Sequence, residues 1–153
     1  NIHSSKFFKW RKFMTTYNIF YNSNKEIVWS TTGEVTDAIK TAQSSLGYSH
    51  VQLTLDSIMP DENYYVNSDA SGLVEKSVFD FTFSNTTPAL DEVINVTGLP
   101  AGTEVFVDDV SQGTMSDTTL TLTVQQSGTY KIRFKKLHYK DHSGATVTVK
   151  RYI

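Results

Sequence analysis

Strict alternation of apolar and polar residues in the C-terminal half constrains the fold of this chain more than any other sequence feature. Residues 118–124 and 130–134 each place apolar side chains on one face of an extended backbone and Thr, Lys or Arg on the other. A period of two is typical of a half-buried β-strand. Turn-forming residues separate such stretches, at 100–102, 112–113 and 127–128. Short antiparallel strands at this spacing predict a β-sandwich.

Residues 14–77 carry a different pattern, which predicts a small ββαβββ unit that would bury little core alone. In its first strand, Tyr17, Ile19 and Tyr21 alternate with Asn18 and Phe20, so the two sets are expected on opposite faces. Its predicted elements are, in order, strands 17–21 and 26–30, a helix capped at Thr36 or Asp37 and ended by Gly47, strand 51–55, and a hairpin of 64–66 with 73–75.

The sandwich domain is predicted over 78–153, after an arm (1–13) and the mixed unit (14–77). Residues 77–84 favour a strand, because Phe79, Phe81 and Phe83 fall on one face. Residues 85–90, with Pro88, are interpreted as a linker or long turn. The last predicted strand covers 145–149, so the whole fold is expected to be mainly β.

Charge is segregated along the chain although the net charge is only −2. Residues 1–12 carry four basic residues and no acid, residues 13–130 carry three lysines against fifteen carboxylates, and residues 131–153 carry seven basic residues against Asp141. One explanation is chance together with the preference for lysine on exposed strands. Charge complementarity between neighbouring subunits is the alternative, since segregated charge steers association and sets register.

The first thirteen residues form a basic and aromatic arm that differs from the rest of the chain. Met14 then begins the domain pattern and is either an internal residue or a start codon, and in the second case residues 1–13 are an appended arm or result from a misassigned start site. Aromatic and cationic residues together also suit nucleic acid or a membrane surface. Packing on a neighbouring protein subunit is favoured, and nucleic acid is not the expected partner. The predicted interface residues are Phe7, Phe8, Trp10, Arg11 and Phe13.

Residues that could carry chemistry form no complete site. His138 and His142 are four apart with Asp141 between them, but they fall in a predicted hairpin loop, where zinc-ligand geometry fails. Residues 67–72 repeat the first half of a calcium loop, yet Val78 stands where the bidentate Glu should be. The sequence therefore predicts no metal, no cofactor and no catalytic residue, and indicates a protein that is not an enzyme.

Two stretches resemble known families. The run VTGLPAGTEVFVDDVSQG, followed by LTLTV and SGTYKIRF, is similar in layout to PEGA-like and related Ig-like or transthyretin-like β-sandwich modules. The run TTYNIFYNSNKEIVWSTTGEV, with ENYYVNSDASGLVEKS downstream, resembles the opening of small tail-associated proteins of tailed bacteriophages. Together the matches cover about 15–149. This family pattern has no catalytic residues to carry over.

The resemblance implies a virion structural protein, expected in the tail as a tail fibre, adaptor-type or tail-tip component. Its expected partners are other virion proteins and copies of itself, assembled in the host cytoplasm. The rivals are a capsid decoration protein and a host-glycan-binding module. No apolar run approaches the ~20 residues needed to span a bilayer, and no signal peptide is recognisable. Candidate glycan-binding aromatics are Trp29, Tyr48, Tyr64, Tyr65, Tyr139 and Tyr152.

Overall fold

The computed structural model describes residues 14–151. Within that range the chain is mainly β, with antiparallel sheets and one helix, which confirms the predicted fold class. It divides into two compact units between Glu75 and Lys76, called here unit 1 and unit 2. Each unit has its own buried apolar cluster.

Unit 1 contains a three-stranded antiparallel sheet and a separate hairpin, in the predicted order. One face of the sheet carries Ile19, Leu53 and Leu55, which pack with Val66 of the hairpin into a buried cluster. The sheet order is β2-β1-β3, and the hairpin pairs β4 with β5. The strands are β1 (Met14–Tyr21), β2 (Ile27–Thr31), β3 (Ser49–Asp56), β4 (Tyr64–Val66) and β5 (Leu73–Glu75).

The helix α1 (Asp37–Ser45) begins and ends at the predicted signals. The Thr36 side chain accepts a hydrogen bond from the Ile39 N–H, satisfying one of the amides that a helix start leaves free. Gly47 follows the C-cap with φ of +85°, a conformation that glycine adopts without steric cost. No residue of α1 is buried, and Leu46, just after it, is 66% exposed. The helix therefore keeps its apolar side chains accessible.

The opposite face of the unit 1 sheet corrects the sequence interpretation of Phe20. Alternation placed this side chain with Asn18, away from the core, yet it is fully buried. Its ring stacks on Trp29, with centroids 4.4 Å apart, and lies 5.0 Å from the ring of His50. The Trp29 indole N–H donates to the Gln43 side chain of α1. Both faces of the sheet are thus covered, so period two could not separate inside from outside.

Unit 2 is a β-sandwich of one three-stranded and one four-stranded antiparallel sheet. The first has the order β10-β7-β6 and the second the order β12-β11-β8-β9. Ile94 and Val96 from the first sheet meet Val105, Ile132 and Phe134 from the second in one buried cluster. The strands are β6 (Thr82–Phe83), β7 (Val93–Thr97), β8 (Glu104–Val107), β9 (Val110–Thr114), β10 (Leu120–Thr123), β11 (Gly128–Lys135) and β12 (Ala145–Val149).

The segment before β7 departs from the sequence prediction in two ways. Only Thr82–Phe83 of the predicted strand 77–84 pairs as a strand, while Ser77 bridges to Tyr139 near the other sheet. The phenylalanines in this stretch nevertheless pack on the unit 2 core, as their spacing predicted. Residues 85–90 form a long turn and not a linker, because the carbonyls of Thr86 and Pro88 accept hydrogen bonds from the amides of residues 148 and 150.

The hairpin of β8 and β9 corrects the position of a predicted turn. The turn lies at Asp108 and Asp109, which have φ of +47° and +65°, and not at Gln112-Gly113. Two consecutive positive φ values are those of a type I′ turn, which matches the twist of the flanking strands. Aspartate tolerates this region better than most residues. Gln112 and Gly113 accordingly lie within β9, a strand that alternation did not reveal.

Candidate interaction groove

An apolar groove opens along one side of the sandwich, between β10 and the hairpin of β8 and β9. It consists of two adjoining cavities of about 420 and 240 Å³, which share Gln112 and Leu122 in their walls. Val107 and Ile132 line the larger cavity, and Val105 lines the smaller. The groove therefore reaches the side chains that form the core of unit 2.

The sheet orders explain why the groove is open. β10 is the end strand of the three-stranded sheet and β9 is the end strand of the four-stranded sheet. Among residues 14–151, neither strand has a partner on its outer side. An end strand of this kind carries a row of N–H and C=O groups available to another chain. The groove thus combines an accessible core with two strand edges.

The walls of the groove are apolar and its rim is polar. Leu120, Leu122 and Val124 point into the sandwich but are only partly buried, although they pack against the buried core. Tyr130 lines the larger cavity, and its hydroxyl donates to the Gln126 carbonyl across the groove end. An apolar centre inside a polar rim is the composition of protein-binding surfaces.

Carboxylates stand near both ends of β10. Asp117 precedes the strand and accepts from the Thr119 amide in a local turn. At the other end, the Asp91 amide donates to the Val124 carbonyl, which brings this second acidic residue beside the strand end. Both residues are exposed. A carboxylate therefore flanks each end of β10, with Asp91 on the side of β7, and basic residues of a neighbouring segment would be attracted to both ends.

The two aspartates of the turn between β8 and β9 already have partners within their own sheet. The Asp108 carboxylate accepts from the Lys131 amide at 2.8 Å, and Asp109 pairs with Arg133 at 2.9 Å. Arg133 also lies over the Phe106 ring, with 5.8 Å from guanidinium carbon to ring centroid. The side chains of Lys131 and Arg133 lie on the outer face of the sheet. They alternate along β11 with Tyr130 and Ile132, which face the groove.

The residues predicted as an interface, Phe7, Phe8, Trp10, Arg11 and Phe13, lie outside the described residues. Tyr152, one of the candidate glycan-binding aromatics, does too. Among the others, Trp29 stacks on Phe20 and Tyr139 packs on Phe79 with centroids 4.7 Å apart. Both rings therefore contribute to packing within their own units, and the set is divided between unit 1 and unit 2.

The loop at 67–72 is a self-contained turn. The Asn67 side-chain oxygen accepts from the amides of Ser71 and Gly72, and Asp69 accepts from the Ser71 amide and hydroxyl. The two hydrogen bonds from Ser71, first from its hydroxyl and then from its amide, lower the pKa of the Asp69 carboxyl. In the described part of the chain, no cluster of three or more His, Asp or Glu side chains is placed to hold a metal ion.

His142 is held inside unit 2 by two backbone amides. The Phe134 N–H donates to Nε2 at 2.9 Å, and the Gly144 N–H points at Nδ1 at 3.1 Å. Its ring packs near Phe79 and Phe81, at centroid distances of 5.5 and 5.6 Å. A neutral imidazole accepts at one nitrogen and a protonated one at neither, so these donors oppose protonation. Burial is the largest cause that lowers the pKa of His142, and the nearby Arg133 charge adds to this, while the Asp141 carboxylate acts in the opposite direction without cancelling it.

We expect unit 2 to lose stability as the pH falls below about 6.5, the usual histidine value. Because the folded-state pKa of His142 is lowered, the unfolded chain binds the proton more tightly. The stabilisation is complete above the unfolded-state pKa and is lost as the pH falls toward the folded-state value. Urea unfolding at pH 7.5, 6.5 and 5.5 should show a weaker pH dependence for His142→Gln than for the natural chain. Equal dependence in both chains would contradict this prediction.

Comparison of the chain with models of protein families, with curated proteins and with solved structures finds no match. The resemblance to tail-associated proteins and to Ig-like or transthyretin-like modules therefore stays a prediction from the residues quoted above. In the described part of the chain, no helix is long and apolar enough to span a membrane.

Proposed function

We propose that this chain is a non-enzymatic structural protein of a bacteriophage virion, located in the tail as a fibre, adaptor-type or tail-tip component. It acts by assembling with copies of itself and with other virion proteins in the host cytoplasm. The resemblance of residues 15–149 to tail-associated proteins supports the place of the protein in the particle. The groove of unit 2 supports its mode of action.

The groove is the observation that carries the assembly proposal. Isolated sandwich domains protect their end strands and cover their core, because open edges invite pairing with other chains. Here Leu120, Leu122 and Val124 stay partly accessible, and two cavities lead to Ile132 and Val105. The free energy gained by burying such a surface is largest when a protein partner adds a strand to the sheet and covers the core.

Charge segregation supports self-assembly in particular. The basic arm of one copy and the acidic stretch 13–130 of another attract each other, whereas identical patches would repel. The proposed interface residues of the arm are Phe7, Phe8, Trp10, Arg11 and Phe13. Contact between unlike surfaces of identical subunits produces rings or filaments, which suits a tail component.

Light scattering coupled to size-exclusion chromatography tests self-assembly. We expect the purified full chain to form an oligomer whose mass increases with concentration, and the oligomer to weaken at high salt because its contacts are partly ionic. A monomer at every concentration, together with retention on a host-glycan column, would favour the glycan-binding rival.

Deleting the gene from the phage tests the place of the protein in the particle. We expect electron microscopy to show filled heads with absent or defective tails, and reintroducing the gene should restore them. Complete tails on heads that lack a surface protein would instead identify a capsid decoration protein.

A further inference from the structure

We propose that the groove of unit 2 binds residues 6–12 of a second copy of the chain, as an extended strand added to the free edge of β10. This inference rests on the proposed function, because it names the partner in the assembly. It goes further by specifying one site, one occupant and one strand edge.

The unequal sizes of the two sheets indicate where a strand can be added. The sheet β12-β11-β8-β9 has four strands, whereas the sheet that faces it has three, with β10 at its end. The larger cavity extends beneath β10 toward Gln112 of β9. A strand placed beside β10 would give both sheets four strands, and its inward side chains would cover Val107 and Ile132.

The spacing of aromatic residues in the arm matches the two cavities. In an extended strand, Lys6, Phe8, Trp10 and Lys12 point to one face, with Phe8 and Trp10 in the middle. Neighbours on that face are about 7 Å apart, which is also the spacing of Leu120 and Leu122 on β10. The two rings can therefore enter adjoining cavities, where large flat side chains bury much apolar area.

The charges of the arm match the ends of the groove. Lys6 and Lys12 are separated by about 20 Å in an extended chain. Asp117 and Asp91 flank the two ends of the four-residue strand β10, whose first and last Cα atoms are about 10 Å apart on the same basis. Lys6 and Lys12 of the added strand therefore extend past both ends of β10, toward these two exposed carboxylates, while the aromatics lie between them. The complementary charges also position the strand along its axis, which backbone pairing alone fixes weakly.

Disulfide trapping tests the contact directly, because the natural chain contains no cysteine. Lys9 points away from the groove in the proposed strand, and Thr121 and Thr123 point the same way on β10. One full-length chain carrying Lys9→Cys is mixed with another carrying Thr121→Cys or Thr123→Cys and mildly oxidised. Directly opposite residues on adjacent strands are within disulfide range.

The matched control is Thr82→Cys, which places the same new residue on β6, the other end strand of the same sheet. We expect the mixed dimer to form at least about 10-fold more with position 121 or 123 than with position 82. Adding Phe8→Ser and Trp10→Ser to the arm should remove this excess and weaken self-association about 100-fold, as for central aromatic residues of an interface.

Four results would overturn the inference, and they separate its failure from that of the proposed function. Oligomers with no excess cross-link at 121 or 123 would leave assembly intact but exclude this site. Unchanged cross-linking after both serine substitutions would exclude the aromatic anchors. Monomer at all concentrations would reject self-assembly itself. Lys9→Cys and Thr121→Cys in one chain closing into a monomer would show that the strand is added within the same copy.

Discussion

Replacing Phe20 with alanine is expected to lower the free energy of unfolding of unit 1 by about 3–5 kcal/mol. The Phe20 ring is fully buried and stacks on Trp29 on the sheet face opposite the Ile19 cluster. Its removal leaves a cavity beneath the indole and takes away the stacked partner, which adds to the loss of buried area. Trp29 would then be more exposed to water.

Urea unfolding followed by tryptophan emission measures this effect. The measurement uses a Trp10→Phe background, in which Trp29 is the one tryptophan of the chain, so the emission reports on unit 1. The control is Val28→Ala, on β2 beside Trp29, where the side chain is 40% exposed and the expected cost is below about 1 kcal/mol. Equal costs for the two variants would show that Phe20 does not support the unit.

The second large effect is expected from Ile132→Ala in unit 2. Ile132 is 1% exposed and lies in the middle of β11, opposite Val107 of β8 and Ala145 of β12. Deleting most of a buried side chain costs about 2–5 kcal/mol through lost transfer energy and the cavity that remains. Because Ile132 also forms the floor of the groove, the new cavity would join the existing space of about 420 Å³.

Far-UV circular dichroism during urea unfolding reports on both units. Tryptophan emission follows unit 1, so the remaining part of the circular-dichroism transition belongs to unit 2. Ile132→Ala should move that part to lower urea. Val93→Ala on β7 is the control, since Val93 is 52% exposed and points away from the core. A midpoint that stays where the natural chain has it would contradict burial of Ile132.

Local signals in the sequence were sufficient for most of the fold. Thr36 and Gly47 determined the limits of α1, because each satisfies a backbone requirement of a helix end. Alternation located β10, β11 and β12, where one face of each strand meets the core. These signals work because they depend only on neighbouring residues and on one buried face.

The predictions failed where the sequence pattern allows two structures with equal support. Phe20 is buried on a face that alternation assigns to solvent, because Trp29 and His50 cover that face as well. Asp108-Asp109 and Gln112-Gly113 both carry turn signals, and the chain turns at the first pair and is extended at the second. Phi angles separate these alternatives, and a single sequence does not reveal them.

The groove could not be predicted for a different reason. Its walls come from residues as far apart as Val105 and Ile132, and its openness depends on which strands end each sheet. Strand order depends on pairing between residues that are far apart in the sequence. The alternation at Leu120 and Leu122 shows that a strand forms but not which strand lies beside it. The same residues would make a closed core if another strand followed β10 in the sheet.

The wall of the groove that β9 forms is held by fewer buried contacts than the wall that β10 forms. All five residues of β9, from Val110 to Thr114, are exposed, and within residues 14–151 it pairs with β8 alone, with an irregular register near Phe106. A strand with so little buried area opens locally at a small fraction of the free energy needed to unfold the domain, so its amide hydrogens should exchange with solvent long before those of β11. We therefore expect the width of the groove to fluctuate, so that rings of different bulk can enter while the core strands stay folded.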